Sequence, residues 1–229
     1  MNEDYNESPF NSVPPVIVAI ALLIFGIEVA FQLGASGYIG GRSAVGWRNN
    51  AATDYALNGQ ILNMMLEQGR WSMDFTIRLV SYLFIHGSMI HAIFGAVMVL
   101  TLGKMVGEIY STFATLVVFF VSGIVGALAW GWILDDTRWL FGAFPAVYGL
   151  IGAFTYIMWV RLGEVGAPQR RAFSLIGFLL GIQLVFNLFP GADSTDWVAD
   201  LAGFFTGFLM SFVVSPGGWA RLREQMRRN

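Results

Sequence analysis

The chain has 229 residues, of which 56% are hydrophobic and 12% charged, with a formal net charge of −2. Soluble domains average ~45–50% apolar and ~25% charged residues, so this composition excludes an ordinary water-soluble globule. The near-neutral charge gives no electrostatic case for a nucleic-acid partner, and without cysteine disulfides, thiolate metal sites and a cysteine nucleophile are excluded.

In chain order, the acidic tail 1–12 lacks the basic start of a cleaved signal peptide, so the first apolar segment, 13–33, reads as a retained membrane anchor. Only Glu28 interrupts it, near the outer boundary, where water is expected to solvate it. Residues 34–76 form a polar, Gly-rich loop, expected to pack at the interface with a short helix over 55–67. Stretches free of Asp, Glu, Lys and Arg follow at 79–103, 109–134, 139–160, 172–192 and 201–220. A span of the hydrocarbon core needs ~20 mostly apolar residues, which gives six transmembrane helices. The last is expected to start near Trp197 and to draw Asp200 into the membrane. The fold expected is an all-α, multi-pass bundle in the lipid bilayer over 13–215, with a basic tail at 216–229.

Basic residues in short loops set orientation. Lys104, Arg161, Arg170, Arg171, Arg221, Arg223, Arg227 and Arg228 fall on one side, whereas Arg138 sits with Asp135, Asp136, Asp193 and Asp196 on the other. Both termini are therefore expected in the cytoplasm, with the loop 34–76 outside; in a bacterial cell this is the inner, plasma membrane. Trp47, Trp71, Trp130, Trp132, Trp139 and Trp197 are expected to form an outer aromatic belt.

Ionisable groups at membrane depth are functional candidates: here His86, His91 and Asp200. Two histidines five residues apart on one helix would not share a face, so no metal site is expected, and no cofactor. Gly142, Gly149 and Gly152, with Gly203 and Gly207, are expected to let the fourth and sixth spans pack closely.

Arg78, His86-Gly-Ser-Met-Ile-His91, Gly103 and Glu108 resemble the second-helix region of rhomboid intramembrane serine proteases. Ser122-Gly-Ile-Val-Gly-Ala127 is similar to the family's third helix. Gly142-Ala-Phe-Pro-Ala-Val-Tyr148-Gly149-Leu-Ile-Gly152-Ala153 is similar to its nucleophile helix, and Ala199-Asp200-Leu-Ala-Gly203-x3-Gly207 to its histidine helix. The resemblance runs in order over about 69–215 and implies a Ser–His dyad, with a histidine and an asparagine holding the oxyanion. On this chain the nucleophile position is Phe144, followed by Pro145; the base position is Asp200; the asparagine position is Gly95. Only His91, with His86 beside it, is retained from that set, while the scaffold positions Arg78, Gly142, Tyr148, Gly149, Gly152, Gly203 and Gly207 match.

The resemblance thus implies a pseudoprotease: a non-proteolytic module that binds client transmembrane helices through a lateral opening. The competing reading is an active intramembrane serine endopeptidase with a displaced site, using Ser81, Ser88 or Ser122. A proton-conducting reading through Glu28, His86, His91 and Asp200 ranks last, for want of an inverted repeat. Gly34-Ala-Ser36-Gly37 spells the catalytic tetrapeptide, but a polar stretch follows it, so it reads as a turn. Phe144 is expected to fill the place of a catalytic cavity, with Pro145 in the first helical turn. Asp200 is expected to meet His91, with Tyr148 as a second donor, in a polar core.

Overall fold

The computed structural model describes residues 13–134, 138–187 and 195–218. The expectations placed on the tail 1–12, on Asp135, Asp136 and Asp193, on 188–192 and on Arg221, Arg223, Arg227 and Arg228 lie outside the described residues.

Helix α1 (Pro15–Ala35) begins with Pro15 at its first position, where the missing N–H leaves no helical bond unmade. It stops at Gly37, whose φ of +77° closes the helix in the left-handed region. The N–H of Tyr38 donates to the Leu33 carbonyl at 3.0 Å across this turn. The tetrapeptide 34–37 is thus a helix C-terminus.

The loop that follows is mostly helical. It holds α2 (Trp47–Tyr55), strand β1 (Leu57–Asn58) and α3 (Gly59–Leu66). The Asn58 side chain caps α3 by accepting from the Ile61 N–H at 2.9 Å. Leu57, Ile61, Leu62 and Met65 are buried, and Leu62 fills the space beside Gly131. The expected helix over 55–67 is therefore shorter, docked on the outer end of the third span.

Two short helices, α4 (Met73–Thr76) and α5 (Arg78–Ser81), and a 3-10 turn (Tyr82–Phe84) precede α6 (Met89–Gly107). This corrects the expected second span. Residues 79–88 are apolar because they are buried in protein: Tyr82 is fully buried and its hydroxyl donates to the Gly123 carbonyl at 2.7 Å. Ser88 then takes extended backbone and caps α6, its hydroxyl accepting from the His91 N–H at 3.2 Å.

The bundle continues through α7 (Thr112–Ile133), strand β2 (Trp139–Leu140), α8 (Phe144–Glu164), α9 (Ser174–Asn187) and α10 (Trp197–Val214). Strand β2 pairs antiparallel with β1, Leu57 opposite Leu140. Among the described residues, α1, α6, α7, α8 and α10 are long and apolar enough to cross a membrane. The expected span at 172–192 is helical over the 14 residues of α9. Trp130 departs from the expected belt: it is fully buried, and its indole N–H donates to the Thr195 hydroxyl at 3.4 Å.

Candidate functional site

Helix α8 runs through the centre of the bundle, and small residues set how closely its neighbours approach. A Cβ added at Gly207 would overlap the Gly149 carbonyl; one at Gly152 would overlap the Phe204 carbonyl, and one at Gly203 the Pro145 carbonyl. The α8 and α10 backbones touch, as the glycine spacing predicts. On the other side of α8, Gly149 rests against the fully buried Ser122 of α7. Arg78 works farther out: its guanidinium donates to the carbonyls of Thr53 at 2.7 Å and Ala56 at 3.0 Å, pinning the C-terminal end of α2.

The N-terminal end of α8 is reached through Gly142, with φ of +108° and its N–H donating to the Tyr82 carbonyl at 2.9 Å. Side chains are strained in that region of φ, and here there is also no room for one. A Cβ at Gly142 would lie 2.9 Å from Cε1 of His91. Both imidazoles rest on this glycine. Their ring centroids are 5.0 Å apart, in an edge-to-face arrangement. The five-residue spacing does not separate them, because His86 lies in the turn ahead of α6 instead of on the helix.

His86 is 1% exposed, and the Ala143 N–H donates to its Nε2 at 3.4 Å. Burial, with His91 alongside, pushes the His86 imidazole down to about 3, so the ring is neutral. Nε2 also stands 2.9 Å from where a Cβ at Gly95 would be. The His86 ring fills the place that a side chain at 95 would need.

His91 stacks on Phe144, with centroids 5.1 Å apart and planes 20° from parallel. Phe144 is half-buried, and Pro145 is buried in the first turn of α8. Pro145 takes the first-turn position expected of it, whereas Phe144 is less enclosed than the expected cavity-filling phenylalanine.

The expected meeting of Asp200 with His91 is not what forms. Asp200 is 2% exposed, in the first turn of α10, and its Oδ2 accepts from Nε2 of Gln183 on α9 at 2.7 Å. The ring of Phe144 already occupies a face of His91. Tyr148 is buried in α8, and the polar contact that Asp200 makes is with Gln183 instead of with the two residues expected. An amide in the middle of a largely apolar span was the available signal for Gln183.

Glu28 also corrects the expectation of a solvated carboxylate. It is 1% exposed, accepting from Arg48 of α2 at 2.5 and 3.1 Å and from Gln32 at 3.2 Å. Arg48 in turn donates to the His86 carbonyl at 2.9 Å and lies over the Phe31 ring. The pair ties α1 and the loop that follows it to the turn carrying His86.

The serines offered as displaced nucleophiles have structural roles. Ser81 donates to the Tyr55 carbonyl at 2.8 Å, Ser88 caps α6, and Ser122 packs against Gly149.

A family model described as the Rhomboid domain matches residues 74–217, more than half of the chain. The chain belongs to the rhomboid family. Rhomboid-like protease 3 of Toxoplasma gondii is 29% identical over 133 residues, which cover 57% of this chain and 48% of that protein. RHOMBOID-like protein 7 of Arabidopsis thaliana is 26% identical over 140 residues, covering 60% of this chain and 42% of that protein. The chain thus spans less than half the length of these curated relatives. The rhomboid match takes in α4 to α10, and with them His86, His91, Phe144 and Asp200. It leaves out α1 and α2, and with them the Glu28–Arg48 pair.

Proposed function

We infer that this rhomboid-family membrane protein holds client transmembrane helices without cleaving them. The observation that carries the reading is the stack of His91 on Phe144 at the outer end of α8. Acyl transfer by serine needs a hydroxyl beside a base and donors aimed at the developing oxyanion. Phe144 has no nucleophilic atom, Pro145 has no backbone N–H, and Asp200 is engaged by Gln183. His86 stands where an asparagine at 95 would project. Aromatic stacking and a hydrogen bond to α9 occupy the place of the chemistry.

The binding surface does not depend on those groups. Phe178, Ile182 and Val185 of α9 are exposed apolar side chains facing outward from the bundle. A cavity of about 290 Å³ beside His86, walled in part by Arg48, Asn49 and Trp139, gives a client's polar flank a place to sit. The orientation that goes with this reading puts Lys104, Arg161, Arg170 and Arg171 in the cytoplasm, together with both termini.

Two measurements test the reading. A fluorogenic transmembrane peptide reconstituted with the purified protein in liposomes should show no hydrolysis that scales with protein concentration, and a photocrosslinker at Phe178 or Val185, activated in intact cell membranes, should capture transmembrane proteins. Hydrolysis, or labelling of a serine by a fluorophosphonate, would favour the protease with a displaced site.

A further inference from the structure

Helices α1 and α6 are closely packed where two glycines of α6 meet the start of α1. Gly103 is packed on Ile17, and Gly107 on Pro14. Beyond that contact the outward faces of the two helices part around a cavity of about 350 Å³, lined by carbon along its length. Its floor is made by Ala21 and Ala96, both nearly buried. Its walls are Leu22, Phe25, Ile93 and Val97, whose side chains reach into lipid on either side. Two alanines facing each other between longer residues make a slot rather than a ridge.

The slot has a direction. It runs from Val18 to Phe25 on one helix and from Ile93 to Leu100 on the other, or ~10 Å at 1.5 Å per residue. One leaflet of the hydrocarbon core is ~15 Å deep, so the slot lies within reach of a single leaflet's acyl chains. At Leu100 it opens into a second hollow, which also takes in Thr101, Lys104 and Glu108. Lys104 and Glu108 are 3.8 Å apart on one face of α6, each about one-third exposed. An apolar cavity therefore lies next to a hollow that carries one positive and one negative group at the helix end.

We propose that the α1–α6 seam binds one phospholipid with a primary-amine zwitterionic headgroup, its acyl chain lying over Ala21 and Ala96. The phosphate takes Lys104, and the headgroup ammonium donates to Glu108. Glu108 repels a headgroup with net negative charge, and a quaternary ammonium has no N–H to donate to it. The Thr101 hydroxyl already donates to the Val97 carbonyl at 2.8 Å, so it faces the headgroup as an acceptor.

The test uses the full chain in vesicles of equimolar palmitoyl-oleoyl phosphatidylethanolamine, phosphatidylcholine and phosphatidylglycerol, followed by gentle extraction and native mass spectrometry of retained lipid. Phosphatidylethanolamine should be retained about three- to fivefold above its bulk share, the range that one partly exposed charge pair supports. Filling the floor from either helix, with Ala96→Leu or Ala21→Leu, should remove that lipid while thermal unfolding stays cooperative. Lys104→Gln with Glu108→Gln, both surface changes, should return the headgroups to bulk proportions, and Glu108→Gln alone should shift retention toward phosphatidylglycerol. Retained lipid that mirrors the bulk in the unsubstituted protein overturns the proposal. So does enrichment of either other headgroup, or a preference that survives the Lys104–Glu108 double change.

Discussion

His91 and Phe144 are stacked, 5.1 Å between ring centroids, where helix α6 meets the N-terminal end of α8. An offset aromatic pair of this kind adds ~0.5–1.5 kcal/mol beyond the area it buries. The pair fastens two helices at a point where the rhomboid resemblance implies a nucleophile beside its oxyanion donors.

Restoring the side chains implied by the resemblance should therefore not restore activity. Phe144→Ser with Pro145→Gly and Asp200→His is expected to hydrolyse a fluorogenic transmembrane peptide at most weakly. Enzymes accelerate such reactions at least ~10⁶-fold, so a working site would be conspicuous. Adding Gly95→Asn should lower thermal stability, because its Cβ would come 2.9 Å from Nε2 of His86. Robust turnover by the triple variant would show that the scaffold had kept the rest of the machinery.

Phe144→Ala removes the ring from beside His91. A fully buried Phe→Ala change costs ~3–5 kcal/mol, and half-buried Phe144 should lose roughly half of that. Phe144→Leu should recover most of the loss. Chemical unfolding in detergent measures both, and an unchanged midpoint for the alanine variant would mean that the ring is not holding the helices.

Much of this arrangement was readable before the fold was known. The glycines at 149, 152, 203 and 207 announce close helix contact because other residues leave less room for a neighbouring element, and the contacts form there, while Gly142, expected with them, is packed by His91 and His86 instead. The break at 79–88 was hidden, since an apolar run buried in protein reads the same as one buried in lipid. Glu28 and Gln183 were misjudged or passed over for a related reason. Whether a polar group at membrane depth meets water or a partner depends on residues distant in sequence, here Arg48 and Asp200.

Glycine substitutions should separate sharply by position. Gly203→Ala and Gly207→Ala each drive a methyl group into a backbone carbonyl of α8, which cannot rotate away. Each should lower stability by at least ~1–3 kcal/mol. Gly177→Ala and Gly181→Ala in α9 meet nothing within 4 Å, and should be neutral or raise stability by about 0.5–1 kcal/mol. Equal effects at the two sets would contradict the described helix crossing.

The Glu28–Arg48 pair should behave as a coupled unit. Removing one partner of a buried pair costs ~3–5 kcal/mol. Arg48 keeps a quarter of its side chain exposed, so Glu28→Gln or Arg48→Gln alone should cost less, roughly 1–3 kcal/mol. The double variant should fall well short of the sum. Strict additivity in thermal unfolding would show that the two charges are solvated separately.

A second cycle distinguishes partners for Asp200. Asp200→Asn and Gln183→Leu should couple by ~0.6 kcal/mol, the average for polar pairs between membrane helices. Asp200→Asn and His91→Ala should be additive, because His91 is occupied by Phe144. Coupling of Asp200 to His91 alone would reverse this assignment.

Where α8 crosses α10, carbonyl oxygens of each backbone are seated over glycines of the other, with no side chains between them to act as bearings. Two rods meshed in that way can neither slide nor roll without atoms colliding, so this pair is the fixed frame of the molecule. On the proposed function, whatever yields to admit a client helix lies elsewhere. Helix α9 is the candidate mover, and its Gln183–Asp200 hydrogen bond is a clasp that can open without disturbing the frame.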